Sequence, residues 1–293
     1  MTSNRITTQT RGILASHNIQ LKKSLGQNFL TDQHVLNKIV QAAQLTEKAG
    51  VLEIGPGIGA LTESVADIAE KVVAIEIDGR LVPILKKLFS TRPNVEIIQG
   101  DALEVDLNQI IETHFGEVEQ IHVTANLPYY VTSPIIIRLL ESRLPFKNIV
   151  IMIQKEVAER LAARPSTKAY GSLSVFVQYF AEVEMVAKVP SHVFVPRPQV
   201  DSAVCRLSLR SEPAVKVENE SLFFAVIRAA FAQRRKTLLN TLHANLLSEM
   251  TKQQVENILI QADIQPKRRG ETLNLAEFAA LTQVIHTTDR ASV

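Results

Sequence analysis

The stretch Val51-Leu52-Glu53-Ile54-Gly55-Pro56-Gly57-Ile58-Gly59 decides the fold. Four residues of strand character, Val51 to Ile54, run into a turn with glycine at every second position. Glycine lets the backbone turn sharply and lets a ligand approach with no Cβ in the way. Leu61 to Ala69 then shows helical spacing of apolar residues. The start of such a helix offers unpaired N–H groups to an anion. A second strand, Val72-Val73-Ala74-Ile75-Glu76, ends on an acid 21 residues beyond Gly55. Strand, glycine turn, helix and distant acid follow the order of a nucleoside-cofactor fingerprint, in which the acid accepts ribose hydroxyls. The chain has no G-x-x-x-x-G-K-[ST] pattern, so this loop is not a phosphate cradle of that type.

Working outward, a helix runs through Leu81, Leu85 and Leu88, and further strands occupy Val95 to Ile98, Ile121 to Thr124 and Ile149 to Ile153. Short, wholly apolar strands separated by helices imply a parallel sheet covered on both faces. The expected fold is therefore α/β: a doubly wound, Rossmann-like sheet with ligands beyond the carboxyl ends of its strands. Two more strands are expected at Val183 to Val189 and Ala203 to Leu209, with the stiff loop Phe194-Val195-Pro196-Arg197-Pro198 between them. Ser211 to Ser221 reads as a linker, and helices follow at Leu222 to Phe231, Arg235 to Leu247, Lys252 to Ala262 and Asn274 to His286. The expected organisation is a domain of residues 1–210, opening with one or two helices before Gly50, and a small all-helical domain of residues 211–293.

Bulk properties narrow the class. The 293 residues are 46% hydrophobic and 21% charged, which excludes collagen-like, coiled-coil and wholly disordered chains. A lone Cys205 excludes an intrachain disulfide framework and a cysteine-rich zinc site, and fits a reducing compartment. Apolar runs such as Ile149 to Ile153 fall far short of a membrane span, and no targeting segment is evident, so a cytoplasmic protein is expected. Net charge is only +2, but it divides unevenly: residues 221–293 carry +3 and the remainder −1. The excess lies in two clusters, Arg234-Arg235-Lys236 and Lys267-Arg268-Arg269. Each suits RNA phosphates, and each alone also reads as a solvated helix face.

Two further motifs sit at the same sheet edge. In Gly100-Asp101-Ala102, after the third strand, the carboxylate is placed to accept from an adenine amine; alone, it reads equally as a turn or cap. Asn126-Leu127-Pro128-Tyr129-Tyr130 follows the fourth strand. The exocyclic nitrogen of adenine is a poor nucleophile because its lone pair is delocalised into the ring. The Asn126 side-chain oxygen and the Leu127 carbonyl, aimed by Pro128, can each accept one amine hydrogen and leave that lone pair free. Tyr129 offers a stacking face for an extruded base, whereas Tyr130 reads equally as a packed ring.

Taken in order, Asn28-Phe29-Leu30, Glu53 to Gly59, Glu76, Gly100-Asp101-Ala102 and Asn126 to Tyr130 resemble the motifs of the rRNA adenine dimethyltransferase family. So do Lys23 to Leu30, Phe194 to Ser202 and Phe231 to Leu238, and the resemblance covers nearly the whole chain without departure at a motif position. It implies a methyltransferase sheet that uses S-adenosylmethionine. Asn28, Leu30, Gly55, Gly57, Glu76, Asp101 and Asn126 would hold that cofactor. Asn126, Leu127, Pro128, Tyr129 and Phe194 would position the target base, with Tyr129 and Phe194 on its two faces. Arg197 and the two basic clusters would contact RNA.

The implied activity is dimethylation of two adjacent adenosines near the 3′ end of 16S rRNA, in an assembling small ribosomal subunit, by a monomer without metal or membrane. Methylases of large-subunit rRNA are the nearest alternative within the family. An assembly factor with a spent site and a dinucleotide-dependent dehydrogenase are alternatives of other classes. No general base is needed, because the amine proton becomes acidic once the nitrogen is alkylated; the seven histidines lie outside the motifs. Tyr129 and Phe194 can stabilise the transient cation by about 0.5–2 kcal/mol.

Overall fold

The computed structural model describes Gly12 and residues 26–291. The expected helix content before residue 26, and Lys23-Ser24-Leu25 of the N-terminal motif, lie outside the described residues. Among the described residues the packing forms two compact units. The first comprises the residues up to Ala158 and Glu182–Leu209; the second comprises Glu159–Ala181 and the residues from Arg210 onward.

The first unit is built on a seven-stranded sheet. Its strands are β2 (Ala49–Ile54), β3 (Lys71–Glu76), β4 (Val95–Gln99), β5 (Gln120–Asn126), β6 (Phe146–Gln154), β7 (Ala181–Val189) and β9 (Ser202–Leu209), in the order β4-β3-β2-β5-β6-β9-β7. β4, β3, β2, β5 and β6 are parallel, as expected of fully apolar strands, while β9 runs antiparallel to β6. Strand order reverses beside β2, so β2 and β5 open the crevice where ligands of such sheets bind. Every residue of β2 is buried.

Two short strands, β1 (Phe29–Leu30) and β8 (Phe194–Val195), pair antiparallel, with Leu30 opposite Phe194. Neither was expected as a strand, since two residues carry no readable period. Helix α1 (Gln33–Ala43) follows β1, with the Asp32 carboxylate accepting from Val35 N–H at 3.0 Å as its cap. Its apolar stripe of Val35, Leu36, Ile39, Ala42 and Ala43 is buried against the sheet together with Leu61 and Val65 of α2 (Ala60–Ala66). The helix expected over Leu61 to Ala69 is thus shorter, with only a turn beyond Ala66. Helices α3 (Val82–Leu88), α4 (Leu107–His114) and α5 (Thr132–Glu141) complete the crossovers, and α6 (Lys155–Leu161) follows β6.

The second unit contains α7 (Ser172–Phe180), α8 (Glu220–Phe231), α9 (Leu238–Asn245), α10 (Lys252–Gln261) and α11 (Leu275–Ala291). Rings of Phe176, Tyr179 and Phe180 on α7 lie 5.0–5.9 Å from Phe223 and Phe224 on α8. The buried Tyr170 hydroxyl donates to the Leu273 carbonyl at 2.9 Å. These contacts group residues 159–181 with the C-terminal helices, whereas a division at residue 210 leaves them with the sheet. The helix expected over Arg235 to Leu247 begins only at Leu238, because Arg234 to Lys236 form the preceding turn.

Candidate functional site

Gly55 follows β2 with φ +71°, and its N–H donates to the Ile75 carbonyl at 2.9 Å. Gly57 follows at φ +60°, and a Cβ there would come within 2.9 Å of the Phe29 ring. Both conformations are left-handed, where a side chain is strained. The loop therefore stays low over the sheet and leaves a cavity of about 330 Å³, within the range of small-molecule sites. Asn28, Leu30, Gly55, Gly57, Glu76, Asp101, Asn126, Leu127, Pro128, Tyr129 and Phe194 all line it. The structure thus gathers every expected cofactor and base-positioning residue in one cavity of the first unit.

At the carboxyl end of β3, Glu76 is buried and accepts from Gly57 N–H at 3.1 Å and Asp78 N–H at 2.8 Å. Burial raises its carboxyl above the ordinary range, against those two bonds. After β4, the Asp101 carboxylate takes one bond from Leu103 N–H at 2.8 Å, so it serves as a turn residue while still facing the cavity.

The geometry at β5 is the most directive. Asn126 donates its Nδ2 hydrogen to the Asn28 carbonyl at 3.0 Å. That bond orients the amide and turns its oxygen, the acceptor, to the other side. Leu127 N–H donates to the Met152 carbonyl at 3.1 Å, fixing the chain as it leaves the sheet. The Pro128 carbonyl accepts from Val131 N–H and from the Thr132 hydroxyl, each at 3.2 Å, closing the turn. Among the described residues no hydrogen bond is donated to the Leu127 carbonyl itself. Tyr129 is half-buried, with its hydroxyl 3.0 Å from the Ser202 hydroxyl. Phe194 is only 4% exposed and meets the cavity from the β1–β8 ribbon.

Two polar lining residues, Glu53 and Gln27, carried no role in the sequence reading, nor did Asp78 beyond the lining. Glu53 is 1% exposed on β2, and its Oε2 has no hydrogen-bond partner. Burial pushes its carboxyl up to about 8, against the nearby Thr62 hydroxyl and with the Glu76 carboxylate adding. Its register partner across β5 is Thr124, whose hydroxyl is also without a partner, so the two share one face of the sheet. A lone acid inside an apolar strand was the available signal. Asp78 and Gln27 form the other group. Gln27 Nε2 donates to Asp78 at 2.9 Å, and Arg80 donates to the same carboxylate at 2.6 and 2.9 Å. The Arg80 guanidinium holds the Asp78 carboxyl down at about 2. This tie fastens the segment before β1 to the loop after β3, and nothing local in the sequence marks it.

The expected RNA-contacting residues lie apart from the cavity lining. Arg197 is exposed in the loop after β8, with Nε donating to the Ser191 hydroxyl at 3.0 Å. In the second unit, Leu238 N–H donates to the Arg268 carbonyl at 2.7 Å. The loop holding Lys267, Arg268 and Arg269 therefore abuts the turn holding Arg234, Arg235 and Lys236, and the two clusters form one patch. Arg234, itself exposed, reaches back to the Lys168 and Tyr170 carbonyls and to Glu271, and the half-buried Arg268 pairs with Glu277. Arg235, Lys236, Lys267 and Arg269 face solvent. Among the described residues no cluster of metal-ligating side chains occurs, and no helix is long and apolar enough to cross a membrane.

Comparison with known proteins adds to this geometry. Residues 18–281 match the family model described as ribosomal RNA adenine dimethylase. The chain is 55% identical over 284 residues to Ribosomal RNA small subunit methyltransferase A of Anoxybacillus flavithermus, covering 95% of each. Among solved structures it is similar to a dimethyladenosine transferase from Plasmodium falciparum, at 30% identity and a TM-score of 0.74, over 89% of this chain and 98% of that one. It is also similar to the 23S rRNA methyltransferase ErmE, at 27% identity and a TM-score of 0.66, over 88% of this chain and 99% of that one.

Proposed function

Because the chain belongs to the ribosomal RNA adenine dimethylase family, we propose that it transfers methyl groups from S-adenosylmethionine to the amines of two adjacent adenosines near the 3′ end of 16S rRNA. When bound, S-adenosylmethionine supplies an electrophilic methyl group on a positively charged sulfur. The residues present fit that group. Gly55 and Gly57 keep the cradle clear of side chains, Glu76 stands at the position that accepts ribose hydroxyls, and the unpartnered Glu53 oxygen belongs to the same cavity lining.

The observation that carries this reading is the Asn126–Asn28 bond. With Nδ2 committed, the Asn126 oxygen accepts one hydrogen of the adenine amine, and the Leu127 carbonyl accepts the other. Both acceptors favour a tetrahedral nitrogen with its lone pair directed at the methyl group, so catalysis is positioning and dipole stabilisation without a base. Tyr129 and Phe194 stack on the base and stabilise its transient positive charge. The exposed side chains of Arg235, Lys236, Lys267 and Arg269, with Arg197, neutralise RNA phosphates, while Arg234 and Arg268 hold the patch in shape. On this reading the first unit performs transfer and the second, through its basic patch, binds RNA. The substrate is the assembling small subunit, and the protein acts as a cytoplasmic monomer.

The test is transfer of labelled methyl groups into unmodified small and large ribosomal subunits, with nucleosides identified by mass spectrometry. N6,N6-dimethyladenosine should form at two neighbouring positions of small-subunit RNA. Labelling of large-subunit RNA alone would overturn the assignment.

A further inference from the structure

The one large aromatic ring at the cavity mouth has no role so far. Tyr130 is 59% exposed, in contrast with the half-buried Tyr129 beside it and the buried Phe194, yet it lines the same cavity. Its ring is backed rather than loose. Gly26, at φ +58°, packs against it so closely that a Cβ there would sit 3.4 Å from the Tyr130 ring and 3.2 Å from Pro128. The Cδ1–Cε1 edge of the ring therefore faces Gly26, and more than half of the residue is left to solvent. A substrate of two adjacent adenosines poses a matching problem. While one base occupies the cavity, its neighbour must lie at the mouth, stripped of at least one stacking partner. Any base can recover that loss on an aromatic face, because every base has a π surface.

We propose that Tyr130 is a specificity-determining residue: it stacks the base that flanks the target adenine. The inference rests on the reading of the site given above. Tyr129 holds the base being methylated, and Tyr130 holds the one waiting or already modified. The arrangement suits a substrate with a second adenine beside the first, since purines stack more strongly than pyrimidines.

Steady-state methyl transfer separates the possibilities. The proteins are the wild type, Tyr130→Ala, Tyr130→Phe and Tyr130→Trp. The substrates are unmodified small subunits carrying either the adjacent adenosines or a single adenosine flanked by uridine. With the adenosine pair, Tyr130→Ala should raise KM about tenfold, more than it lowers kcat, and Phe or Trp should restore it. With uridine as neighbour, the alanine penalty should shrink. An unchanged KM, an equal penalty on both substrates, or failure of Phe to rescue would overturn the proposal. Thermal melting of each variant guards against misfolding, and Tyr130→Leu, which keeps apolar bulk without an aromatic face, carries the test if alanine destabilises the turn: it should raise KM as alanine does. A wild type that methylates neither substrate would sink the reading of the site as well, whereas active wild type with indifferent variants sinks the role of Tyr130 alone.

Discussion

Glu53→Gln should change how stability depends on pH. The glutamine keeps the shape of the side chain and cannot ionise. In the folded protein burial lifts the Glu53 carboxyl to about 8 from an ordinary 4.5. Between these values the folded chain holds a proton that the unfolded chain has released, so rising pH favours unfolding. The stability contributed by the buried neutral acid is complete below about pH 4.5 and is lost as pH rises through about 8. One pH unit in this window is worth roughly 1.4 kcal/mol, so the group accounts for on the order of 5 kcal/mol across it. The Glu76 carboxyl, raised in the same direction, remains in both proteins and largely cancels in the difference. Urea unfolding of wild type and variant at half-unit intervals from pH 5 to 8.5 measures the effect. The variant should gain on the wild type steadily as pH rises. Two curves that stay parallel would show that Glu53 is ionised in the folded protein, and that its lone oxygen has a partner such as ordered water.

Other expectations follow from the same contacts. Asn126→Ala removes the acceptor and its tie to Asn28, so transfer should fall at least about tenfold while RNA binding by filter retention persists; an unchanged rate removes Asn126 from its role. Gly57→Ala places a Cβ at φ +60° within 2.9 Å of the Phe29 ring. It should weaken S-adenosylmethionine binding by about tenfold in calorimetry and cost about 1–3 kcal/mol of stability, and full affinity would refute the cradle. The basic patch divides by partner. Arg235→Ala with Lys267→Ala should weaken RNA binding and flatten its salt dependence without changing the melting temperature. Arg268→Ala should lower the melting temperature, by losing Glu277 and Thr272. The reverse pattern would show that the exposed residues are not the RNA contacts.

Much of the fold was legible because its signals are local. The run from Val51 to Gly59, the acid ending the next strand, and the turn at Asn126 each combine a strand period with residues whose backbone freedom or hydrogen bonding is dictated by type. Their arrival at one sheet edge follows from parallel topology, so the cavity could be anticipated without coordinates. Asn28 and Phe194 were different. Only the resemblance to a family singled them out, since a loop amide and a lone phenylalanine carry no pattern of their own.

Tertiary structure decided what local signals cannot reach. Pairing of Leu30 with Phe194 brings two distant loops to the cavity, and such pairing is set by burial of their neighbours rather than by any period of two residues. The choice of acceptor for Asn126, the contacts that tie Arg234, and the merging of two basic clusters into one patch each depend on a partner far along the chain. The protonation of Glu53 belongs to the same class. Its sequence neighbours state only that a carboxyl sits in a strand, and the layers packed around that strand determine whether the carboxyl carries a charge.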